Sequence, residues 1–179
     1  PPPTPTPPLR APLMPLPNVF DECETSYTWI NRHQNRYKYR DHGIDKNLMR
    51  NLKAYYYATI SFVDYQVGRI FKALEESGQL DNTLIIFTSD HGEFLGDNNC
   101  FGKRSMQDPS SRIPMLVRGP GFKAGEICDT PVSLVDVMPT AAAVAGINTD
   151  GMELDGVNMA DIASGECDRK YVYSQYADK

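Results

Sequence analysis

Between residues 47 and 77 apolar side chains recur at steps of three and four: Leu48, Leu52, Tyr55, Tyr56, Ile60, Val63, Val67, Ile70, Phe71 and Leu74. That spacing puts them on one stripe of a long helix. Gly78 follows as a left-handed stop, and Asp45 or Asn47 can cap the start. Gly68 inside the stripe gives up helix propensity for close backbone packing. Asp64, beside Val63, reads as a paired structural carboxylate rather than a ligand. After a polar turn at 79–82, residues 83–88 (Thr-Leu-Ile-Ile-Phe-Thr) are β-rich and nearly all apolar, which predicts a buried strand. A second short strand is expected at 114–118, closed by the turn Gly119-Pro120-Gly121. Ser133 can cap a helix through Leu134, Val137, Ala141, Val144 and Ala145 that stops at Gly146. Pro139 inside it implies a kink or a start displaced to the proline. Residues 171–174 read as a final strand. Helix, tight turn and buried strand in that order predict an α/β fold, a mostly parallel sheet flanked by helices.

The start of the chain has no such pattern. Residues 1–18 are dense in proline, which predicts extended or irregular backbone. Residues 19–46 are mixed and polar, and the histidines there, His33 and His42, read as ordinary loop side chains. We therefore expect one domain, with residues 1–46 as its irregular lead-in and residues 47–179 as its α/β part. A formal charge of −5, with Lys and Arg scattered, leaves no basic patch to neutralise phosphates and argues against nucleic-acid binding. No apolar run is long enough to predict a membrane-spanning helix. Cys23, Cys100, Cys128 and Cys167 form no CxxC pair, so a structural zinc site is not indicated, while their even number permits disulfides.

The chemistry concentrates where the first strand ends, at Ser89-Asp90-His91-Gly92-Glu93. Ligands of open α/β sheets collect at the carboxyl ends of strands. Asp90 offers a hard oxygen and His91 a neutral nitrogen, a combination suited to a divalent metal. The same residues would also make a plain turn in which Asp90 caps the next segment and His91 is merely exposed. Further on, Gly102-Lys103 lacks the glycine spacing of a phosphate-binding loop, but Lys103 could clamp an anionic substrate group. Arg112, before the second strand, reads as one arm of a structural salt bridge.

Taken together and in order, these pieces resemble the sulfatase branch of the alkaline phosphatase superfamily. The resemblance rests on the apolar strand, Ser89-Asp90-His91-Gly92-Glu93, Leu95-Gly96-Asp97, Gly102-Lys103 and Arg112-Ile113-Pro114. It extends back to Asp64-Tyr65-Gln66-Val67-Gly68 and forward through the run from Pro131 to Thr140 and Leu154-Asp155-Gly156-Val157. It implies an alkaline phosphatase-like fold whose N-terminal strands are missing here. It makes Asp90 and His91 two ligands of a divalent cation, usually calcium. Lys103 becomes a catalytic, substrate-binding residue that holds a sulfate oxygen and offsets charge on the leaving group. The Asp-His form is similar to iduronate- and choline-type sulfatases and to phosphonate monoester hydrolases.

The family's nucleophile is a Cys or Ser converted to formylglycine, two positions before a proline. No cysteine of this chain has proline there, and Pro109-Ser110-Ser111-Arg112 has Gln107 at the nucleophile's place. Asp108 and Pro109 also depart from the family's usual Glu and Gly. The expectation is therefore the C-terminal portion of a hydrolase of sulfate esters, inactive by itself, acting on a sulfated small molecule or glycan through a formylglycine outside this chain. A phosphonate monoester or phosphodiester hydrolase of the same superfamily, and a non-catalytic glycan-binding relative, are the alternatives. Substrate, compartment and oligomeric state are not legible.

Overall fold

The computed structural model describes residues 46–97, 101–103 and 105–174. The proline-rich lead-in, His33, His42, Cys23, the proposed cap Asp45 and Cys100 lie outside the described residues. The chain divides into two compact units. One comprises Pro1–Gly68 with Glu93–Arg104, and the other Arg69–Gly92 with Ser105–Lys179.

Helix α1, Lys46–Glu76, forms as the stripe predicts. It stops as Gly78 dictates, with φ +68°. Gly78 N–H donates to the Glu75 carbonyl (3.0 Å) and Gln79 N–H to the Leu74 carbonyl (2.9 Å), which satisfies two of the last carbonyls of the helix. The stripe itself is largely exposed in this chain. Leu48, Leu52, Tyr55, Ile60 and Ile70 all stay solvent-facing, and Met49 is the one buried residue of the helix.

In the first unit the segment after the strand is tied to itself by a carboxylate. Glu93 Oε1 accepts from Gly102 N–H (2.6 Å) and from Leu95 N–H (3.2 Å). Phe94 N–H donates to the Gly102 carbonyl (3.0 Å), and the Phe94 and Phe101 side chains are buried.

In the second unit, β1 (Ile85–Thr88) and β2 (Met115–Arg118) form the sheet of the described residues. They pair antiparallel, Ile85 opposite Arg118 and Thr88 opposite Met115, where a mostly parallel sheet was expected. The connection explains the direction. A parallel return needs a crossover that carries the chain back to the start of β1. Here the two ends of the link meet at the carboxyl end of β1, where Gly92 N–H donates to the Ser110 carbonyl (2.7 Å) and the Thr88 hydroxyl donates to the Pro114 carbonyl (2.8 Å). Between them lies a single turn of helix, α2 (Asp108–Ser111), in which Arg112 pairs with Asp108 at 3.6 Å. The strand expected at 171–174 does not form.

The helix expected after Ser133 divides. Leu134–Asp136 is a 3-10 turn, and α3 (Val137–Val144) then carries Pro139 in its first turn, where the missing N–H costs nothing. Gly146 ends α3 as predicted, with φ +67°. A further short helix, α4 (Met159–Ser164), was not anticipated. Asn158 caps it by accepting from Ala160 N–H (3.1 Å), and Gly165 closes it in the left-handed region.

These two helices meet around an ion pair. Asp136 is fully buried, and Arg169 is partly buried, its side chain 17% exposed. Arg169 donates bidentately to the Asp136 carboxylate, Nη1 to Oδ1 at 2.9 Å and Nη2 to Oδ2 more closely still. Asp136 also accepts from Ser133 N–H (2.7 Å) and Val157 N–H (2.9 Å). The Arg169 guanidinium also donates to the Pro131 carbonyl, from Nε at 3.1 Å and Nη2 at 2.9 Å. The buried Thr140 hydroxyl donates to the Asp136 carbonyl (2.6 Å) and accepts from Met159 N–H (2.8 Å). Six residues, Pro131, Ser133, Thr140, Val157, Met159 and Arg169, are thus held by one carboxylate and the groups around it. A buried charge pair is tolerable when its donors and acceptors are met this fully.

Candidate functional site

Asp90 and His91 leave β1 at its carboxyl end, as the sequence predicts. Their geometry comes from local hydrogen bonds. Ser89 Oγ donates to the His91 carbonyl (2.7 Å), and His91 N–H donates to Asp90 Oδ1 (3.0 Å). The next residue has to be glycine. A Cβ built on Gly92 would stand 2.1 Å from the Pro109 carbonyl oxygen and 2.9 Å from its carbon, well inside van der Waals contact. Gly92 N–H at the same point donates to Ser110 (2.7 Å). Close backbone approach therefore aims the Asp-His pair. Gly92→Ala is expected to cost about 3 kcal/mol, through overpacking against main chain that cannot rotate away. Urea unfolding of the two proteins measures it, and an unchanged midpoint would mean that the link at 109–110 yields freely.

The imidazole orientation is decided by its other nitrogen. His91 Nδ1 lies 2.8 Å from the Gly92 carbonyl oxygen, which can only accept, so Nδ1 carries the proton. In the neutral ring Nε2 then presents its lone pair, 3.2 Å from Asp90 Oδ2. Two acceptors facing each other at that distance repel unless positive charge lies between them. A proton on Nε2 supplies it, and so does a metal ion that takes both atoms as neighbouring ligands. A hydrogen bond from the second ring nitrogen to a carbonyl is the usual support of a metal-bound histidine. The Asp90 side chain is 79% exposed and that of His91 35%, so both are open to a ligand from solvent. The donor set fits a divalent cation. Among the described residues no third His, Cys, Asp or Glu joins them.

Lys103 is exposed and belongs to the other compact unit. Its place in that unit is set by Gly102, which has φ +81° and is anchored through its N–H to Glu93 and through its carbonyl to Phe94. Glu93 is thus a positioning residue that the sequence reading left without a role. Its signal was available: a carboxylate inside the Ser-Asp-His-Gly-Glu run with no cation near it in sequence, free to accept backbone amides.

Comparison with known proteins agrees with this frame. The sulfatase family model matches residues 16–147. The chain belongs to the sulfatase family. An arylsulfatase K from Danio rerio is 37% identical over 133 residues, covering 72% of this chain and 25% of that protein. A phosphonate monoester hydrolase from Silicibacter pomeroyi superposes with a TM-score of 0.76 at 30% identity, covering 89% of this chain and 33% of the other. A structure determined with its substrate D-glucosamine-2-N,6-O-disulfate superposes with a TM-score of 0.57 at 34% identity, covering 67% of this chain and 24% of the other. The chain spans about a quarter of the length of the curated relatives it matches. Its fold is of the alkaline phosphatase-like kind these sulfatases share.

Proposed function

We propose that this chain is the C-terminal part of a metal-dependent sulfatase that hydrolyses sulfate esters. Residues 47–179 would belong to one sulfatase-type α/β domain. The observation that carries the reading is the facing pair of acceptors, Asp90 Oδ2 and His91 Nε2, at the carboxyl end of β1 in a chain of this family. Asp90 and His91 would hold a divalent cation, with calcium as the family's usual ion. When bound, that ion supplies Lewis acidity and offsets negative charge on the sulfate group.

Each residue then has a task. The carboxylate of Asp90 contributes charge and a hard oxygen. In the neutral ring His91 gives its Nδ1 proton to the Gly92 carbonyl, which leaves Nε2 as the ligand atom and fixes the ring plane. Lys103 would bind a sulfate oxygen and stabilise the charge that builds on the leaving oxygen as the S–O bond breaks. Glu93, by anchoring Gly102, restricts where the Lys103 main chain can go. The nucleophile expected from the family is a formylglycine, which this reading assigns to a part of the enzyme beyond the present 179 residues. Covalent attack on sulfur followed by release of sulfate splits one difficult hydrolysis into two easier steps.

A sulfated sugar as substrate is supported by the relative determined with a disulfated glucosamine. The similarity to a phosphonate monoester hydrolase favours a second reading, in which the same residues serve a phosphonate monoester or phosphodiester. Rates of the full-length enzyme on an aryl sulfate and on an aryl phosphodiester separate the two. The account expects kcat/KM for the sulfate to exceed that for the diester by at least about 10-fold, a difference of about 1.4 kcal/mol in transition-state binding. The reverse order would move the chain to the phosphonate branch. Binding of sulfated glycan with no turnover of either ester would make it a non-catalytic relative.

A further inference from the structure

Two cysteines of the second unit, far apart in sequence and unused by the proposed chemistry, converge on the end of α4. Cys128 Sγ lies 3.9 Å from the Ile162 carbonyl oxygen. Cys167 N–H donates to the carbonyl of the adjacent residue, Asp161, at 3.0 Å. Carbonyls of successive residues at the end of one helical turn are neighbours, so both cysteines sit at the same rim. A second set of contacts brings the flanking residues together independently. Arg169, two positions after Cys167, donates twice to the carbonyl of Pro131, three positions after Cys128. Hydrogen bonds therefore tie both segments, 128–131 and 167–169, to α4 at one end and to each other through the Arg169 side chain at the other. Both thiols are free, Cys128 exposed and Cys167 half-buried, so an external oxidant reaches the pair.

We propose that Cys128 and Cys167 are a dithiol pair that closes to a disulfide under oxidising conditions. The co-reactant is a small-molecule disulfide such as oxidised glutathione. The thiolate of the exposed Cys128 attacks one sulfur of it, forming a mixed disulfide and releasing one glutathione thiolate. The Cys167 thiolate then attacks Cys128 Sγ and displaces the second. One S–S bond forms within the protein and one is broken in the reagent. The two cysteine protons end on two glutathione thiols. Closure needs the two Cα atoms within about 7 Å, and both residues already contact the same turn of α4. The bond would span a loop of about 40 residues that contains Asp136, Thr140 and the whole of α3, and would staple that loop to the segment carrying Arg169.

The test uses native chain in a glutathione redox buffer, quenched with acid, alkylated and digested with trypsin. No Lys or Arg lies between Lys123 and Arg169, so one tryptic peptide carries both cysteines and neither Cys23 nor Cys100. The expected product is that peptide lighter by two hydrogens and unreactive to alkylating agent. Cys128→Ser should instead leave Cys167 as a glutathione mixed disulfide, and the same oxidation in denaturant should scatter pairing over all four cysteines. Glutathione adducts at both positions in the native chain, or native pairing of either one with Cys23 or Cys100, would overturn the proposal.

Discussion

Asp136→Ala is expected to lower the stability of the chain by about 3–5 kcal/mol, enough to unfold a domain of ordinary stability. The size follows from what the substitution leaves behind rather than from what the carboxylate contributes in isolation. Arg169 would keep its charge in a largely buried position without a counter-ion. The amides of Ser133 and Val157 would lose their acceptor, and each buried unsatisfied donor adds about 1–3 kcal/mol. Asp136→Asn should fall short of wild type by a similar margin, because an amide meets Arg169 with one oxygen and no charge. The effect carries a pH signature. Burial by itself pushes the Asp136 carboxyl up, but the Arg169 hydrogen bond, the Val157 and Ser133 amides and the Arg169 charge outweigh it. Together they hold the group below its ordinary value of 3.8. A depressed folded-state value contributes stability that is whole above the unfolded-state value and is lost as the pH falls through the folded one. The gap between wild type and Asp136→Ala, measured by denaturant unfolding, should therefore be constant near neutrality and narrow below pH 3.8. A gap that does not change with acidification would assign the cost of the mutation to packing alone.

Much of this frame could be read from residue order. The stripe from Leu48 to Leu74 and the glycine after it specify α1 and its stop to within a residue. The apolar runs at 83–88 and 114–118 locate both strands, because short β-rich segments bounded by turn residues have few other uses. Asp90 and His91 were legible as a pair because they follow a strand directly. Strand direction was not legible, since it depends on the two ends of the link between residues 89 and 114 meeting, and no local pattern announces the approach of Gly92 to Pro109 and Ser110. Helix α4 escaped because six residues are too few to display a period, although Asn158 and Gly165 mark its ends. The Asp136–Arg169 pair lies beyond any local pattern, its partners 33 positions apart. Cys128 and Cys167 were visible only as half of an even count, and their common contact with α4 appears only in the folded chain.

Asp90→Asn should reduce sulfate release by the full-length enzyme at least about 100-fold while leaving the fold intact. Asn keeps the shape of the side chain and one oxygen, so His91 N–H retains an acceptor, but the charge facing His91 Nε2 is gone. Exposure of the Asp90 side chain makes the substitution nearly neutral for stability, in contrast to Asp136. The loss of activity should be accompanied by weaker retention of the metal, since one of the two donors brought together here no longer carries a negative charge.

The most direct measurement is sulfate release from an aryl sulfate by the full-length enzyme after chelation, followed as calcium is added back to wild type and to Asp90→Asn. The account predicts that chelated wild type is inactive and recovers with saturable calcium dependence, while Asp90→Asn recovers weakly or only at much higher calcium. Full activity after chelation, or identical calcium curves for the two proteins, would contradict the assignment of Asp90 and His91 as the holders of a catalytic cation.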